Sequence, residues 1–129
     1  MKRQRLTIPK SSAVLGVASV LIAVGLGMEI RSNTAKAEFH NHANDGLSAL
    51  RVEQYEICLN SYRKALDSRP EPAAAELSDA YNNMGWCLWR LKRVDGAIEA
   101  FETSLRLAPD KIRARNNLQM ARRWKAQQR

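Results

Sequence analysis

Apolar residues recur at helical spacing in the stretch from Tyr81 to Pro109. Four of them fall within about 100° of one another on a helical wheel: Tyr81, Met84, Gly85 and Leu88. Residues 92–95 interrupt this phase, and a second stripe of apolar and small residues follows over residues 97–108. The pattern therefore predicts two antiparallel helices. The second is expected to begin near Val94, with Asp95 as its cap, and to stop at Pro109.

Small and bulky side chains alternate between the two predicted helices. Gly85 on the first and Ala97 on the second allow the two backbones to approach closely, and Leu88 and Phe101 fill the space between them. The spacing predicts one tightly packed helical hairpin.

The spacing of Gly85, Ala97, Phe101 and Pro109, with an aromatic residue at Tyr81, resembles the tetratricopeptide repeat. Leu88 departs from the family pattern, because tyrosine is usual there. The resemblance implies an all-α fold, a short right-handed α-solenoid of antiparallel helix hairpins. It also implies a concave groove that receives peptides, and it does not name the partner.

A degenerate copy of this pattern precedes the main repeat. Cys58 stands in place of Ala97 and Tyr62 in place of Phe101, and Pro70 ends the segment. We therefore expect a degenerate repeat over residues 46–70 and a main repeat over 72–109. The first helix of the degenerate repeat is expected to be short, because the asparagine and aspartate at 44 and 45 favour helix caps.

The last residues predict a capping helix over 110–126, with Asp110 as its cap. Its apolar positions, Ile112, Leu118, Met120 and Trp124, are spaced among many basic residues. A stack of hairpins needs a terminal helix with one polar face. The sequence therefore predicts about five helices, namely two repeats and a cap.

Residues 1–37 have the features of an export leader. Four basic residues, Lys2, Arg3, Arg5 and Lys10, precede an apolar run over residues 13–28, and Ala35 and Ala37 supply the small residues of a cleavage site. Cleavage after Ala37 would release the domain, whereas an uncleaved run would anchor it. A buried helix is the third alternative, disfavoured by the lack of a polar face. Both export routes place the domain outside the cytoplasm, periplasmic or membrane-anchored and facing outward, behind a polar linker at 38–45.

Charge is unevenly distributed along the chain, whose formal net charge is +8. Residues 111–129 contain basic residues and no acidic ones. Beyond Lys111, five basic residues lie on the predicted last helix: Arg113, Arg115, Arg122, Arg123 and Lys125. They are expected to form a solvated face, to attract an acidic protein ligand or to contact membrane headgroups. Nucleic acid is not expected, because export removes the usual target.

Asn82, Trp86 and Trp89 lie on one flank of the main repeat's first helix, about 80 to 140° from its core face. Trp86 and Trp89 are the expected aromatic anchors. The predicted partner-binding groove comprises Asp79, Asn82, Asn83, Trp86, Trp89, Arg90, Arg113 and Asn117. In the resembling family an asparagine at the place of Asn83 often holds a ligand's main chain. The alternative is that one tryptophan only packs against a neighbouring helix.

The carboxylate clamp of the family's chaperone-type members is not carried over, because Ala43 and Leu47 occupy the place of its first residues. No nucleophile with a base partner and no phosphate loop is apparent, so neither catalysis nor a cofactor is expected.

Cys58 and Cys87 are predicted either to form a disulfide or to serve separately as apolar fillers. Cleavage after Ala37 would make Glu38-Phe39-His40 an amino-terminal motif of the kind that binds copper or nickel, a minor alternative.

The sequence thus predicts an exported, non-catalytic adaptor that binds a peptide or protein segment in the groove. A structural component of the envelope that acts by self-association is the alternative. In either case residues 13–28 would contact the membrane if the leader is retained.

Overall fold

The computed structural model describes residues 11–68 and 72–128, with side chains from residue 24 onward except at position 32. Every regular element in these ranges is an α-helix, so the all-α prediction is confirmed. The five helices are α1 (Ser11–Arg51), α2 (Tyr55–Leu66), α3 (Ala74–Arg90), α4 (Val94–Leu107) and α5 (Ile112–Gln127). The chain divides into two compact units, residues 1–33 and Thr34–Arg129. The second unit contains the core.

Adjacent helices of the second unit pack in sequence, α2 on α3, α3 on α4 and α4 on α5. Glycines permit the close contacts inside the hairpins. A Cβ atom on Gly85 would lie 2.7 Å from the Phe101 ring, and one on Gly46 would lie 2.8 Å from the Tyr62 ring. Both aromatic rings are buried. The α1–α2 and α3–α4 hairpins are therefore built around the same glycine–aromatic contact, as a helical repeat requires.

The two hairpin turns have the same backbone conformation. Glu53 and Lys92, which occupy equivalent places, both have positive φ angles, 62° and 61°. In each turn the next residue's N–H donates to a carbonyl 2.9 Å away, Gln54 to Ala49 and Arg93 to Leu88. This repetition supports the prediction that residues before 70 form an earlier, degenerate repeat. The handedness of the stack stays a prediction.

Two buried serines join α3 to α4. The Ser78 hydroxyl donates to the Ser104 carbonyl oxygen at 2.9 Å, and the Ser104 hydroxyl donates to the Ser78 carbonyl oxygen at 2.8 Å. Both residues are fully buried. Because the bonds are reciprocal, neither hydroxyl is left unsatisfied inside the core.

Cys58 on α2 and Cys87 on α3 form a disulfide, with their Cα atoms 6.3 Å apart. Both residues are fully buried within the apolar core. Of the two roles that the sequence left open, the structure has the bridge. It covalently joins the first hairpin to the second.

The expected linker at 38–45 is wrong, because α1 runs through these residues without a break. The expectation that the first helix is short is wrong for the same reason. Phe39 is only 3% exposed, and Ala43 packs against the same core. These residues, Gly46 and Leu50 follow one another at intervals of four, three and four, so burial of one helical face outweighs the weak helix propensity of Asn44 and Asp45.

The predicted aspartate caps are also wrong. No side-chain hydrogen bond caps α4 or α5, whose flanking residues are Arg93 and Lys111. Asp95 instead lies 2.5 Å from the Lys125 ammonium of α5. At the start of α3, which follows Pro72, the Ala73 N–H donates to the Glu76 carboxylate at 3.1 Å. An ion pair between helices thus takes the place of a local cap.

Among the described residues, no helix combines the length and the apolarity that a membrane crossing requires. The basic residues that begin the predicted leader lie outside the described residues. Apolar side chains of α1 before residue 33 are more than half exposed: Val24, Leu26, Met28 and Ile30.

Candidate functional site

A cleft of about 290 Å³ lies between the first helices of successive hairpins and the last helix. Its lining includes Leu50 of α1, Trp86 of α3 and Arg113 of α5. Four asparagines complete the lining: Asn82, Asn83, Asn116 and Asn117. We call it the asparagine cleft. It combines an aromatic surface, several amides and one cation, which are the usual means of binding a peptide main chain.

The asparagine amides form a hydrogen-bonded chain across α5, α3 and α2. Asn117 Nδ2 donates to Asn82 Oδ1 at 2.9 Å, and Asn82 Nδ2 donates to Asn83 Oδ1 at 3.4 Å. Asn83 Nδ2 then donates to the Tyr62 hydroxyl at 3.0 Å. Asn82 is buried. The chain holds these side chains in place, which lowers the entropic cost of binding a ligand.

Tyr62 terminates the amide chain and is 2% exposed. Burial raises the pKa of its phenol, and the nearby Asp79 carboxylate acts in the same direction, while the hydrogen bond from Asn83 opposes them. The phenol is therefore protonated at neutral pH and retains a hydrogen that it can donate.

The two candidate tryptophans have different surroundings. Trp86 lines the asparagine cleft. Trp89 is half-buried, packs against the core and meets Trp124 of α5 edge to face, with ring centroids 5.6 Å apart and an interplanar angle of 83°. Of the two roles weighed from the sequence, Trp86 has the geometry of a groove residue and Trp89 that of a packing residue.

Three predicted groove residues do not line the asparagine cleft: Asp79, Trp89 and Arg90. Asp79 lies 2.7 Å from the Lys111 ammonium. The Arg90 guanidinium lies over the Tyr55 ring at 4.5 Å and pairs with Glu53 at 3.7 Å. Residues at the edges of the predicted flank contact neighbouring helices instead of the cleft.

Two lining residues, Leu50 and Asn116, were not predicted. Asn116 follows Arg113 by three positions and is therefore on the same side of α5, a signal that the sequence contained. Leu50 could not be predicted, because its helix was expected to be short.

A second cleft of about 190 Å³ lies between α1 and α3. Its lining is apolar at Phe39, Ala43, Leu47 and Ala80, and polar at Asn44, Tyr62, Glu76, Asp79 and Asn83. We call it the tyrosine cleft. Asn83 lines both clefts, so they are neighbours on one surface.

Several basic residues of α5, and Lys111 just before it, form ion pairs or hydrogen bonds with other groups of the protein. Arg122 lies 2.6 Å from the Glu102 carboxylate, and Arg115 donates to the Pro109 carbonyl oxygen at 2.8 Å. Lys111 and Lys125 pair with aspartates, as described above. Arg113, in contrast, lines the asparagine cleft and is the cation that can meet an acidic ligand group there.

Among the described residues, no group of three His, Cys, Asp or Glu side chains could hold a metal ion. His40 Nε2 lies 3.4 Å from the Glu76 carboxylate. The square-planar arrangement would need a free amine at Glu38 and non-helical peptide nitrogens after it, whereas α1 is continuous there. The amino-terminal copper motif requires cleavage after Ala37 and stays a prediction.

Stacked helical hairpins with an amide-lined cleft define a helical-repeat binding scaffold. The family model named Tetratricopeptide repeat matches residues 78–111. Residues 78–111 therefore form a tetratricopeptide repeat, as the sequence predicted. Repeats of this family typically serve as protein-interaction modules rather than catalysts. Comparison with curated proteins finds no match.

Proposed function

We propose that this protein is an exported adaptor that binds an extended segment of a protein partner in the asparagine cleft. The observation that carries the proposal is the cleft itself. Trp86 offers an aromatic face, Arg113 offers a cation, and Asn116 and Asn117 offer amide groups, all around one space of about 290 Å³.

The chemistry of the lining favours a peptide main chain. Amide side chains donate to carbonyl oxygens and accept from N–H groups, so they pair with a backbone whatever its sequence. Trp86 provides a contact of the kind that dominates binding energy at interfaces. Arg113 favours a carboxylate, from an acidic side chain or a chain terminus, at the α5 end of the cleft.

Substitution of Trp86 by alanine is expected to weaken peptide binding by at least about tenfold, because it removes the aromatic contact of the cleft. Peptides would first be selected with the full chain from a random-peptide display library. Their affinities would then be measured by fluorescence anisotropy with wild type, Trp86→Ala and Asn117→Ala. Ile57→Ala, an exposed site outside the cleft, is the matched control and should bind as wild type does.

Equal binding by wild type and Trp86→Ala would place the peptide elsewhere and overturn the proposal. Circular dichroism must show unchanged helicity for Trp86→Ala. Replacing Trp89 as well would not isolate the cleft, because Trp89 packs on Trp124 and its loss would also affect folding. A chain that selects no peptide and sediments as an oligomer with Trp86 protected would favour the alternative, a self-associating envelope component.

Export is the second part of the proposal, supported by the basic and apolar pattern of residues 1–37. A reporter that is active only outside the cytoplasm, fused after Arg129, is expected to be active. Export would be contradicted if a cytoplasmic reporter fused at the same place were active and the extracytoplasmic reporter were inactive.

Amino-terminal sequencing of the fusion protein distinguishes the two export routes. A released domain would begin at Glu38, whereas an anchored chain would begin at Met1 or Lys2. Burial of Ala35 within the helical unit argues for retention, since cleavage would remove it.

A further inference from the structure

The hydroxyl of Tyr62 has no role in packing. Tyr62 and Phe101 are equivalent, because each ring lies against a glycine sixteen positions earlier, Gly46 and Gly85. Phe101 is fully buried and makes this contact without a hydroxyl. A phenylalanine at position 62 would therefore pack against Gly46 equally well. Packing of the first hairpin does not explain the hydroxyl of Tyr62.

That oxygen has an unused hydrogen. It accepts a hydrogen bond from Asn83 Nδ2, and within the described part of the chain Tyr62 makes no hydrogen bond in which it donates. Because burial raises its pKa, the phenol keeps its proton. A ligand oxygen that reaches this hydroxyl can accept the hydrogen and so form one hydrogen bond with the protein.

The hydroxyl borders a space that a ligand can enter. Tyr62 lines the tyrosine cleft, whose other walls include Phe39, Leu47 and Ala80. These side chains are apolar, and the space of about 190 Å³ suits one aliphatic or aromatic side chain. A peptide carbonyl oxygen beside that side chain is the natural acceptor for the phenol hydrogen.

We propose that the tyrosine cleft is a second subsite for the same peptide, which places an apolar side chain in it and accepts a hydrogen bond from Tyr62 at a main-chain carbonyl. The inference rests on the proposed function. Asn83 lines both clefts, so one extended segment can pass from the asparagine cleft to the tyrosine cleft without leaving the surface.

Charge sets the direction of the segment. Glu76 and Asp79 border the tyrosine cleft, and Arg113 borders the asparagine cleft. Glu76 already accepts from the Ala73 N–H and lies near His40, and Asp79 pairs with Lys111. Because no basic side chain among the described residues lines the tyrosine cleft and Arg113 lines the asparagine cleft, acidic residues of the ligand are favoured toward Arg113. The partner segment has an apolar end and an acidic end.

The test uses peptides selected from the random-peptide library with the full chain, each compared with a version truncated at its apolar end. Tyr62→Phe copies the equivalent residue of the second hairpin and should fold. It is expected to weaken binding of the complete peptide by about 3- to 10-fold, the effect of one lost hydrogen bond. The truncated peptide should lose less affinity through Tyr62→Phe than the complete peptide does.

A second variant separates the cleft from the amide chain, because Tyr62→Phe also removes the acceptor of Asn83. Ala43→Leu adds volume at the tyrosine cleft and leaves Tyr62 and the asparagines intact. It should reduce binding of the complete peptide to about the level of the truncated one, while the truncated peptide is unaffected. Unfolding midpoints of both variants confirm that they are folded.

The outcomes distinguish this inference from the proposed function. If Trp86→Ala weakens binding but both Tyr62→Phe and Ala43→Leu bind the complete peptide as wild type does, the second subsite is wrong and the first stands. If no peptide is selected, both are wrong. If Ala43→Leu instead abolishes a homodimer seen by sedimentation, the occupant is a second copy of the chain, which overturns the peptide subsite.

Discussion

Replacement of Phe101 by alanine is expected to lower the free energy of unfolding by about 3 to 5 kcal/mol. Phe101 is fully buried and fills the place where Gly85 has no side chain. Its removal loses apolar burial and leaves a cavity between α3 and α4. The two helix backbones cannot easily move together to fill that cavity. The total free energy of unfolding of a small domain is only about 5 to 15 kcal/mol, so this loss is a large fraction of it.

Urea denaturation followed by circular dichroism measures the effect. Ile57→Ala is the control, because Ile57 is 55% exposed and its truncation should change stability by less than about 1 kcal/mol. Phe101→Leu should fall between the control and Phe101→Ala. A loss below about 1 kcal/mol for Phe101→Ala would mean that this ring is not the centre of the second hairpin.

The disulfide is expected to contribute about 3 to 4 kcal/mol. Cys58 and Cys87 are 29 positions apart, and closing a loop of this size restricts the unfolded chain by about that amount in the loop-entropy model. The bridge also joins α2 to α3, that is, one hairpin to the next. Reduction should therefore lower the unfolding midpoint of the wild-type chain and loosen the contact between repeats.

A comparison of wild type and the double variant Cys58→Ala/Cys87→Ala, each with and without reductant, isolates this effect. Reductant should lower the midpoint of wild type and leave that of the double variant unchanged. Alkylation of the protein taken from cells without reductant provides the chemical check. Two labelled thiols when the chain is alkylated in denaturant without reductant, or a wild-type midpoint insensitive to reductant, would contradict a stabilising bridge.

Part of the candidate site could be predicted because helical geometry is local. Asn82, Asn83 and Trp86 share one flank of α3 through their spacing alone, and all three line the asparagine cleft. The division between Trp86 and Trp89 could not be predicted. Both occupy the same flank, and only the position of Trp124 on α5 decides that Trp89 is a packing residue.

The sequence by itself determined the second hairpin, because its signals are local: residues three and four apart form a stripe, small residues mark the close contact, and Pro109 ends the pattern. Tertiary structure decided the length of α1. Its polar residues 38–45 have weak helix propensity, and burial of Phe39 against the second unit's core outweighs that propensity. It also decided the pairing of Cys58 with Cys87 and the partners of Asp95 and Tyr62, since each joins helices that are distant in sequence. Periodicity reveals which face of a helix is apolar, but it does not reveal which residue of another helix lies opposite.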